Sequence, residues 1–152
     1  MARNPQHIRD FTVRAGLDKS YRDGELLLNV EVVDATGEWR EGWSVEATLT
    51  DPGGQVILKE PLPLPAGGNS GTVSLSHTLP MVKPWSAELP SLYHLQLVLK
   101  DAGGNTVEVI GQQVGFRSVE IKDGLLLVNG QYVYLKGVNL HEHHETTGHV
   151  VD

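Results

Sequence analysis

Short alternating segments separated by turn residues are the sequence feature that most limits how this chain can fold. Glycine (17 residues) and proline (8 residues) occur along the whole length and interrupt the sequence too often for long helices. Between these interruptions apolar and polar residues alternate with a period of two, which is typical of strands with one buried face. The alternation predicts seven strands, near residues 11–15, 26–33, 45–49, 55–60, 72–77, 93–99 and 106–116.

Two of the interruptions have the composition of tight hairpin turns. They are Asp51-Pro52-Gly53-Gly54 and Asp101-Ala102-Gly103-Gly104-Asn105, and each lies between two predicted strands that would therefore pair antiparallel. A run of alternating prolines, Pro61, Pro63 and Pro65, follows the fourth predicted strand. Because proline cannot donate a ladder hydrogen bond, we expect this run to end the strand.

Seven short strands with turns about every 8–12 residues indicate an immunoglobulin-like antiparallel β-sandwich. We predict an all-β fold in which residues 1–117 form the sandwich and residues 118–152 form a separate junction segment. The chain has no cysteine, so the sandwich must be of a kind without the disulfide of antibody domains. A barrel with a similar number of strands remains an alternative, because periodicity does not distinguish the two architectures.

Composition excludes several classes of protein. Lys and Arg number 12 and Asp and Glu 19, a formal net charge of −7, which disfavours general binding to nucleic acid or anionic lipid. The longest apolar runs, Leu26–Leu28 and Leu125–Val128, are too short to span a membrane. Residues Met1–Asp10 contain no apolar signal core, so we expect a cytoplasmic protein, although the native N-terminus could lie elsewhere.

From Ser118 onward the predicted strands lie closer together. Asp123-Gly124 and Asn129-Gly130 favour positive φ and occupy the positions of two-residue hairpin turns. They separate short apolar segments at 119–121, 125–128 and 132–138. We therefore predict a compact meander after the sandwich, whose last strand, Tyr132–Val138, runs directly into a polar cluster.

That cluster is Asn139-Leu140-His141-Glu142-His143-His144-Glu145, followed by His149. It does not match the helical zinc motif of metalloproteases, which requires a second histidine four residues after the first, where this chain has Glu145. Three interpretations remain open: a strand or loop metal site in which His141 and His143 share a face, a solvated polar loop, or a sugar contact at a strand end. Since no Cys ligand is available and no supporting partner is evident, we expect no structural metal.

The last interpretation gains support from a family resemblance. Asp123-Gly124-Leu125-Leu126-Leu127-Val128-Asn129-Gly130, followed by Gly137-Val138-Asn139-Leu140-His141-Glu142-His143-His144, resembles the junction at which β-galactosidases of glycoside hydrolase family two pass from an immunoglobulin-like domain into the first strand of a catalytic (β/α) barrel. Trp85–Tyr93 and Val114–Arg117 resemble the segments that the family places around its last sandwich strands. Two positions depart from the usual residues: Leu140 replaces an Arg and Glu145 a Pro.

The resemblance implies a function for a longer parent enzyme. That enzyme would be a retaining hydrolase of terminal β-galactosides with two catalytic carboxylates and a magnesium ion, and the sandwich would be a spacer. In such enzymes the first histidine of the cluster, here His141, contacts the sugar. The catalytic carboxylates and magnesium ligands lie later in the barrel, so the resemblance implies no catalytic residue, metal or cofactor in this chain. It also implies the rest of the parent chain as a partner, and a homo-oligomer is possible.

Two other hypotheses come from different functional classes. A stand-alone carbohydrate-binding module would use exposed tryptophans to stack on sugars, with Trp39 and Trp43 as its face. A structural sandwich would bind no small ligand. For all three tryptophans, core or edge packing is the default expectation, and we expect Trp85 to lie in the core. Glu142 and Glu145 are the only acids near the candidate site, and without a surrounding cleft they are not expected to act as a catalytic pair.

Overall fold

The computed structural model describes residues 4–37, 41–138 and 145–148. Seven strands form two antiparallel sheets that face each other. Their bounds are β1 Gln6–Leu17, β2 Gly24–Asp34, β3 Ser44–Thr50, β4 Val56–Pro63, β5 Ser70–Leu79, β6 Tyr93–Lys100 and β7 Thr106–Val114. One sheet has the order β1-β2-β5 and the other the order β4-β3-β6-β7. The predicted antiparallel sandwich is confirmed, and within the described residues neither sheet closes into a barrel.

The core lies between the two sheets and comes from the alternation that the sequence predicts. Every second residue of β2 is fully buried and faces the buried positions of β3 and β6, because successive side chains of a strand point to opposite faces. The central buried set is Leu26, Leu28, Val30, Val32, Val45, Ala47, Leu49, Leu95, Leu97 and Leu99. At one side of the sandwich the Glu108 carboxylate of β7 accepts a hydrogen bond of 2.6 Å from the Ile8 backbone N–H of β1, which ties the two sheets together.

Both predicted hairpin turns are present and share one hydrogen-bonding pattern. Asp51 Oδ1 accepts hydrogen bonds of 2.8 Å from the backbone N–H groups of Gly53 and Gln55. Asp101 does the same for Gly103 and Asn105, at 2.9 and 2.8 Å. Such aspartate turns satisfy the backbone donors that the turn would otherwise leave unpaired.

The prediction that Pro61 ends the fourth strand is wrong. β4 continues to Pro63, with Pro61 opposite Glu46 and Pro63 opposite Ser44 of β3. Because β4 is an edge strand of its sheet, the nitrogen of a proline at alternate positions can face away from the ladder without removing a hydrogen bond. The proline run therefore marks a sheet edge and not a strand end.

The junction segment forms a small separate sheet of three short strands: β8 Val119–Lys122, β9 Leu125–Val128 and β10 Gln131–Tyr132, in the order β10-β9-β8. Both predicted two-residue turns are present, with positive φ at Asp123 and Gly124 and at Asn129 and Gly130. This pattern is that of the type I′ turn.

The predicted last strand, Tyr132–Val138, is wrong in its extent. Beyond β10 one further ladder bond runs from Val133 N–H to the Leu126 carbonyl, 3.0 Å, and residues 134–138 are not in a strand. The strand stops because its pairing partner β9 is short. β9 begins at Leu125, after the turn at Gly124, so residues beyond 133 have little or no strand to pair with. No helix in the described ranges combines the length and apolarity that crossing a bilayer requires.

One buried carboxylate gives a prediction about pH. Asp34 is only 4% exposed, and its Oδ1 accepts hydrogen bonds from Thr36 N–H (2.8 Å), Thr36 Oγ1 (2.6 Å) and Gln6 Nε2 (3.0 Å). Burial by itself raises the pKa of Asp34, but these hydrogen bonds outweigh burial and hold that pKa below the ordinary value of 3.8. A carboxyl with a lowered pKa in the folded state stabilises the fold above its unfolded pKa, and this contribution is lost as the pH falls through the folded pKa.

We therefore expect Asp34→Asn to lower the free energy of unfolding by about 1–2 kcal/mol at pH 6, since a neutral amide accepts these hydrogen bonds more weakly. Because wild-type Asp34 becomes protonated in acid, the difference should shrink below pH 3.8. Urea denaturation of both proteins between pH 6 and pH 3 measures it. The exposed Asp10→Asn is the control, and a difference that does not change with pH would contradict the prediction.

Candidate functional site

Most residues that the sequence analysis selected lie outside the described residues. This applies to the proposed sugar contact His141, to Glu142, His143, His144 and His149, and to Trp39. Glu145 is described and is exposed in a turn. Trp43 is half-buried and packs against the sandwich core. This agrees with the expectation that it packs in the core or at its edge, and Trp43 is therefore not a freely exposed stacking platform.

The described residues do show how the sandwich holds the segment that leads to His141. Between β7 and β8, Phe116 is fully buried and its ring meets the Tyr93 ring edge-on at 5.0 Å between centroids. The backbone on either side of this ring is fixed as well. The Phe116 carbonyl accepts a hydrogen bond of 2.8 Å from Trp85 N–H, and Arg117 N–H donates one of 3.1 Å to the Ala15 carbonyl. The chain therefore leaves the sandwich in a single defined direction.

Asn129 connects the small sheet to the sandwich. Its Oδ1 accepts a hydrogen bond of 3.0 Å from Ser118 N–H, and its Nδ2 donates one of 2.9 Å to the Trp85 carbonyl. Its backbone N–H also donates to the Ser118 carbonyl, at 2.9 Å. The sequence predicts Asn129 as a turn residue only. Its role in connecting the small sheet to the sandwich depends on residues 11 and 44 positions away, and no local sequence pattern reveals it.

Tyr21, in the loop between β1 and β2, makes a second connection that the sequence analysis missed. Its hydroxyl donates a hydrogen bond to the Glu120 carboxylate of β8, and this bond raises the pKa of Tyr21 above its ordinary value of 10.0. The same ring lies against Gly130, where an added Cβ would sit only 2.5 Å from a ring carbon. Gly130 has a φ of 73°, so both the turn and the neighbouring ring require glycine.

An open cleft of about 560 Å³ lies between the sandwich and the small sheet. One wall contains Trp85, with the Arg117 guanidinium 4.9 Å from the centre of its ring. The other contains Tyr132 and Tyr134, whose ring centroids are 6.4 Å apart. The expectation that Trp85 lies in the core is wrong. It is half-buried, because it packs on Gly115 at the surface, where an added Cβ would meet the indole at 3.0 Å.

The described lining of this cleft does not supply the carboxylate pair of a retaining glycosidase. Glu88 is the only acid among the described residues that line it, whereas a retaining glycosidase needs two carboxylates about 5 Å apart. The described ranges also contain no group of three or more His, Asp or Glu side chains placed to hold a metal ion. Since the histidine cluster lies outside these ranges, the expectation that it binds no structural metal stays a prediction.

Sequence comparison matches nearly the whole chain to two family models. The model described as "Glycosyl hydrolases family 2" matches residues 6–117. The model described as "Glycosyl hydrolases family 2, TIM barrel domain" matches residues 119–152. The chain thus resembles two parts of one family in succession.

Among curated proteins, the chain is similar to enzymes named beta-galactosidase. It is 39% identical over 143 residues to the one from Priestia megaterium, which covers 93% of this chain and 14% of that protein. It is 40% identical over 151 residues to the one from Aeromonas hydrophila, with coverage of 96% and 14%. The chain therefore spans about 14% of the length of these relatives.

Solved structures match the fold. A beta-glucuronidase from Parabacteroides merdae superposes with a TM-score of 0.74 at 19% identity, covering 97% of this chain and 18% of that one. A family 2 glycosyl hydrolase from Bacteroides cellulosilyticus superposes with a TM-score of 0.75 at 16% identity, covering 89% and 19%. At these identities the match supports the architecture alone.

Proposed function

The chain belongs to glycosyl hydrolases family 2, and from that premise we propose that it is part of a retaining β-galactosidase that acts on terminal β-galactosides. In this proposal the sandwich is a structural spacer, and the loop with His141 contributes to the sugar site. The observation that carries it is the likeness to proteins named beta-galactosidase, at 39–40% identity over 93–96% of this chain. The solved glucuronidases are more distant, at 19–21% identity.

The position of His141 in the sequence fits a role in substrate binding. It lies nine residues after Tyr132, the end of β10, in the segment that the barrel model of the family matches. Barrel enzymes build their sites at the C-terminal ends of strands, and an imidazole has one nitrogen that donates and one that accepts. A neutral His141 could therefore hydrogen-bond a sugar hydroxyl in two ways while other residues perform the chemistry.

The bond-breaking groups would come from parts of the enzyme outside this chain. A retaining glycosidase uses one carboxylate as nucleophile and a second as acid and then base, through a covalent glycosyl intermediate. The family resemblance also implies magnesium in the whole enzyme. The described residues include no cluster of acids or histidines that fits such an ion, so we assign no step to magnesium in this chain.

We also propose that the rest of the parent enzyme covers the small sheet. A concentration of exposed large apolar side chains supports this, since soluble proteins seldom leave such a patch uncovered. Val138 is 92% and Leu135 76% exposed. The set within the described part of the junction is Val119, Ile121, Leu125, Tyr132, Tyr134, Leu135 and Val138.

The test compares the intact enzyme with the 152-residue chain on chromogenic β-galactoside, β-glucuronide and β-mannoside. We expect the intact enzyme to hydrolyse the galactoside fastest, with retention of anomeric configuration by NMR, and the isolated chain to hydrolyse none. Faster hydrolysis of the glucuronide, or inversion, would contradict the proposal. Sugar binding by the isolated chain in calorimetry would instead favour a carbohydrate-binding module.

A further inference from the structure

The turn between β9 and β10 contains a reactive pair of residues. Asn129 is the only asparagine of the chain that is followed by glycine, and glycine has no side chain to hinder the approach of its backbone nitrogen. After a base removes the proton from the Gly130 nitrogen, that nitrogen can attack Cγ of Asn129, and Nδ2 takes up a proton and leaves as ammonia. Water then opens the resulting imide to aspartate or isoaspartate. The net change replaces one side-chain amide by a carboxylate.

The folded turn opposes this attack through its backbone conformation. Asn129 has a φ of 51° and Gly130 a φ of 73°, the left-handed pattern of the type I′ turn. In that region ψ is about 47°, so Cβ lies beside the carbonyl oxygen of its own residue and the next nitrogen lies on the opposite side. Closure of the imide ring requires Cβ and that nitrogen on the same side. The turn must therefore open before the reaction can begin.

The Asn129 side chain is restrained by the same arrangement that connects the two sheets. Its Oδ1 accepts the bond from Ser118 N–H, and Nδ2, the leaving group, donates to the Trp85 carbonyl. Both partners lie outside the strands of the small sheet. The Tyr21 ring, from the sandwich, lies against Gly130. These restraints are released together only when the small sheet separates from the sandwich.

We propose that Asn129-Gly130 is a site of spontaneous deamidation that is protected while the small sheet is docked and exposed when the sheet detaches. The products also impair renewed docking. In the aspartate product an oxygen replaces Nδ2 and faces the Trp85 carbonyl, and two acceptors do not bond to each other. In the isoaspartate product the backbone is lengthened by one carbon, so the two-residue turn is lost as well. Detachment that ends in reaction therefore weakens the connection permanently.

The first test measures the deamidation rate of the full chain, folded and in guanidinium chloride, by mass spectrometry of the peptide that contains Asn129. We expect the folded chain to react at least about tenfold more slowly, because only its detached fraction reacts. The peptide containing Asn29, which is followed by valine, is the internal control and should react slowly in both states. Equal rates at Asn129, or no reaction in denaturant, would overturn the proposal.

Tyr21→Ala tests whether docking controls the rate. It removes the ring from Gly130 and the bond to Glu120 but leaves the reacting pair intact. The folded chain should deamidate about tenfold faster, with an unchanged rate in denaturant. Arg22→Ala, an exposed neighbour, should change neither rate. If Tyr21→Ala does not fold, Tyr21→Phe replaces it, with an expected rise of about threefold; a folded variant without any rise refutes control by docking.

Asn129→Asp imitates the product and tests its consequence. Amide exchange at Leu126–Val128 should become about tenfold faster, because the donor to the Trp85 carbonyl is lost and an acceptor takes its place. Asn69→Asp introduces the same charge in an exposed loop and should leave this exchange unchanged. Wild-type exchange in Asn129→Asp would contradict the permanent weakening.

Discussion

Phe116→Ala is expected to lower the free energy of unfolding by about 3–5 kcal/mol, the usual cost of removing a buried aromatic ring. The ring is fully buried and packs edge-on against Tyr93 at 5.0 Å. It also lies so close to Gly24 that an added Cβ there would sit 2.7 Å from a ring carbon. Because the surrounding side chains are closely packed, they can relax only slightly into the cavity that the alanine would leave. The loss in the free energy of unfolding should therefore fall in the upper part of this range.

The position of Phe116 gives this substitution a second consequence. Its carbonyl accepts a hydrogen bond from Trp85 N–H. The Trp85 carbonyl in turn accepts one from Asn129 Nδ2, in the turn of the small sheet. Loss of the ring should therefore loosen the small sheet as well as the core. Amide exchange should accelerate at Leu126–Val128 beyond the increase expected from the lower global stability.

Urea denaturation of the 152-residue chain measures the first effect. Phe116→Leu should cost clearly less, because it keeps much of the apolar volume. Val109→Ala, at an exposed position of β7, is the matched control and should change the free energy of unfolding by no more than about 0.5 kcal/mol. If Phe116→Ala lowers the free energy of unfolding by less than about 1 kcal/mol, the ring does not stabilise the core as its burial indicates.

His141→Ala in the intact enzyme is expected to lower turnover about 10²-fold with the melting temperature nearly unchanged. Removing one well-placed hydrogen bond to a reacting substrate has an effect of this size. The family resemblance implies that His141 lies at the C-terminal end of a barrel strand, where a side chain adds little to the core, so the fold should not depend on it. If the bond forms mainly in the transition state, kcat and kcat/KM should fall by the same factor.

Two further variants test whether hydrogen bonding is the reason. His141→Gln retains a donor and an acceptor and should recover part of the turnover. Glu145→Ala alters an exposed residue four positions later and should have little effect. Normal turnover of His141→Ala, or a collapse of its thermal stability, would refute the assignment of His141 to the sugar site.

The strands of the sandwich follow from the sequence because the signals that specify them are local. The alternation along Leu26, Leu28, Val30 and Val32 determines which face of β2 is buried, whatever lies opposite. In the same way Asn129-Gly130 determines a two-residue turn, because positive φ at two adjacent positions depends on those residues alone. The resemblance to family 2 was likewise visible in contiguous residues of the junction. These features needed no knowledge of distant contacts.

Other features depended on which elements become neighbours. Pro61 and Pro63 continue a strand because β4 lies at a sheet edge, and the strand predicted for Tyr132–Val138 stops early because its neighbour β9 is only four residues long. Trp85 is half-buried and not in the core, because it packs against Gly115 and the Arg117 guanidinium at the edge of the sandwich.

The connection between sandwich and small sheet was decided by tertiary structure alone. Tyr21 and Glu120 are 99 positions apart, and Asn129 and Trp85 are 44 apart. Periodicity and turn composition describe the conformation of a few consecutive residues. A hydrogen bond between distant residues exists only after the chain has packed, so the sequence predicts the elements and the candidate residue His141, and only the folded chain shows what holds the segment leading to it.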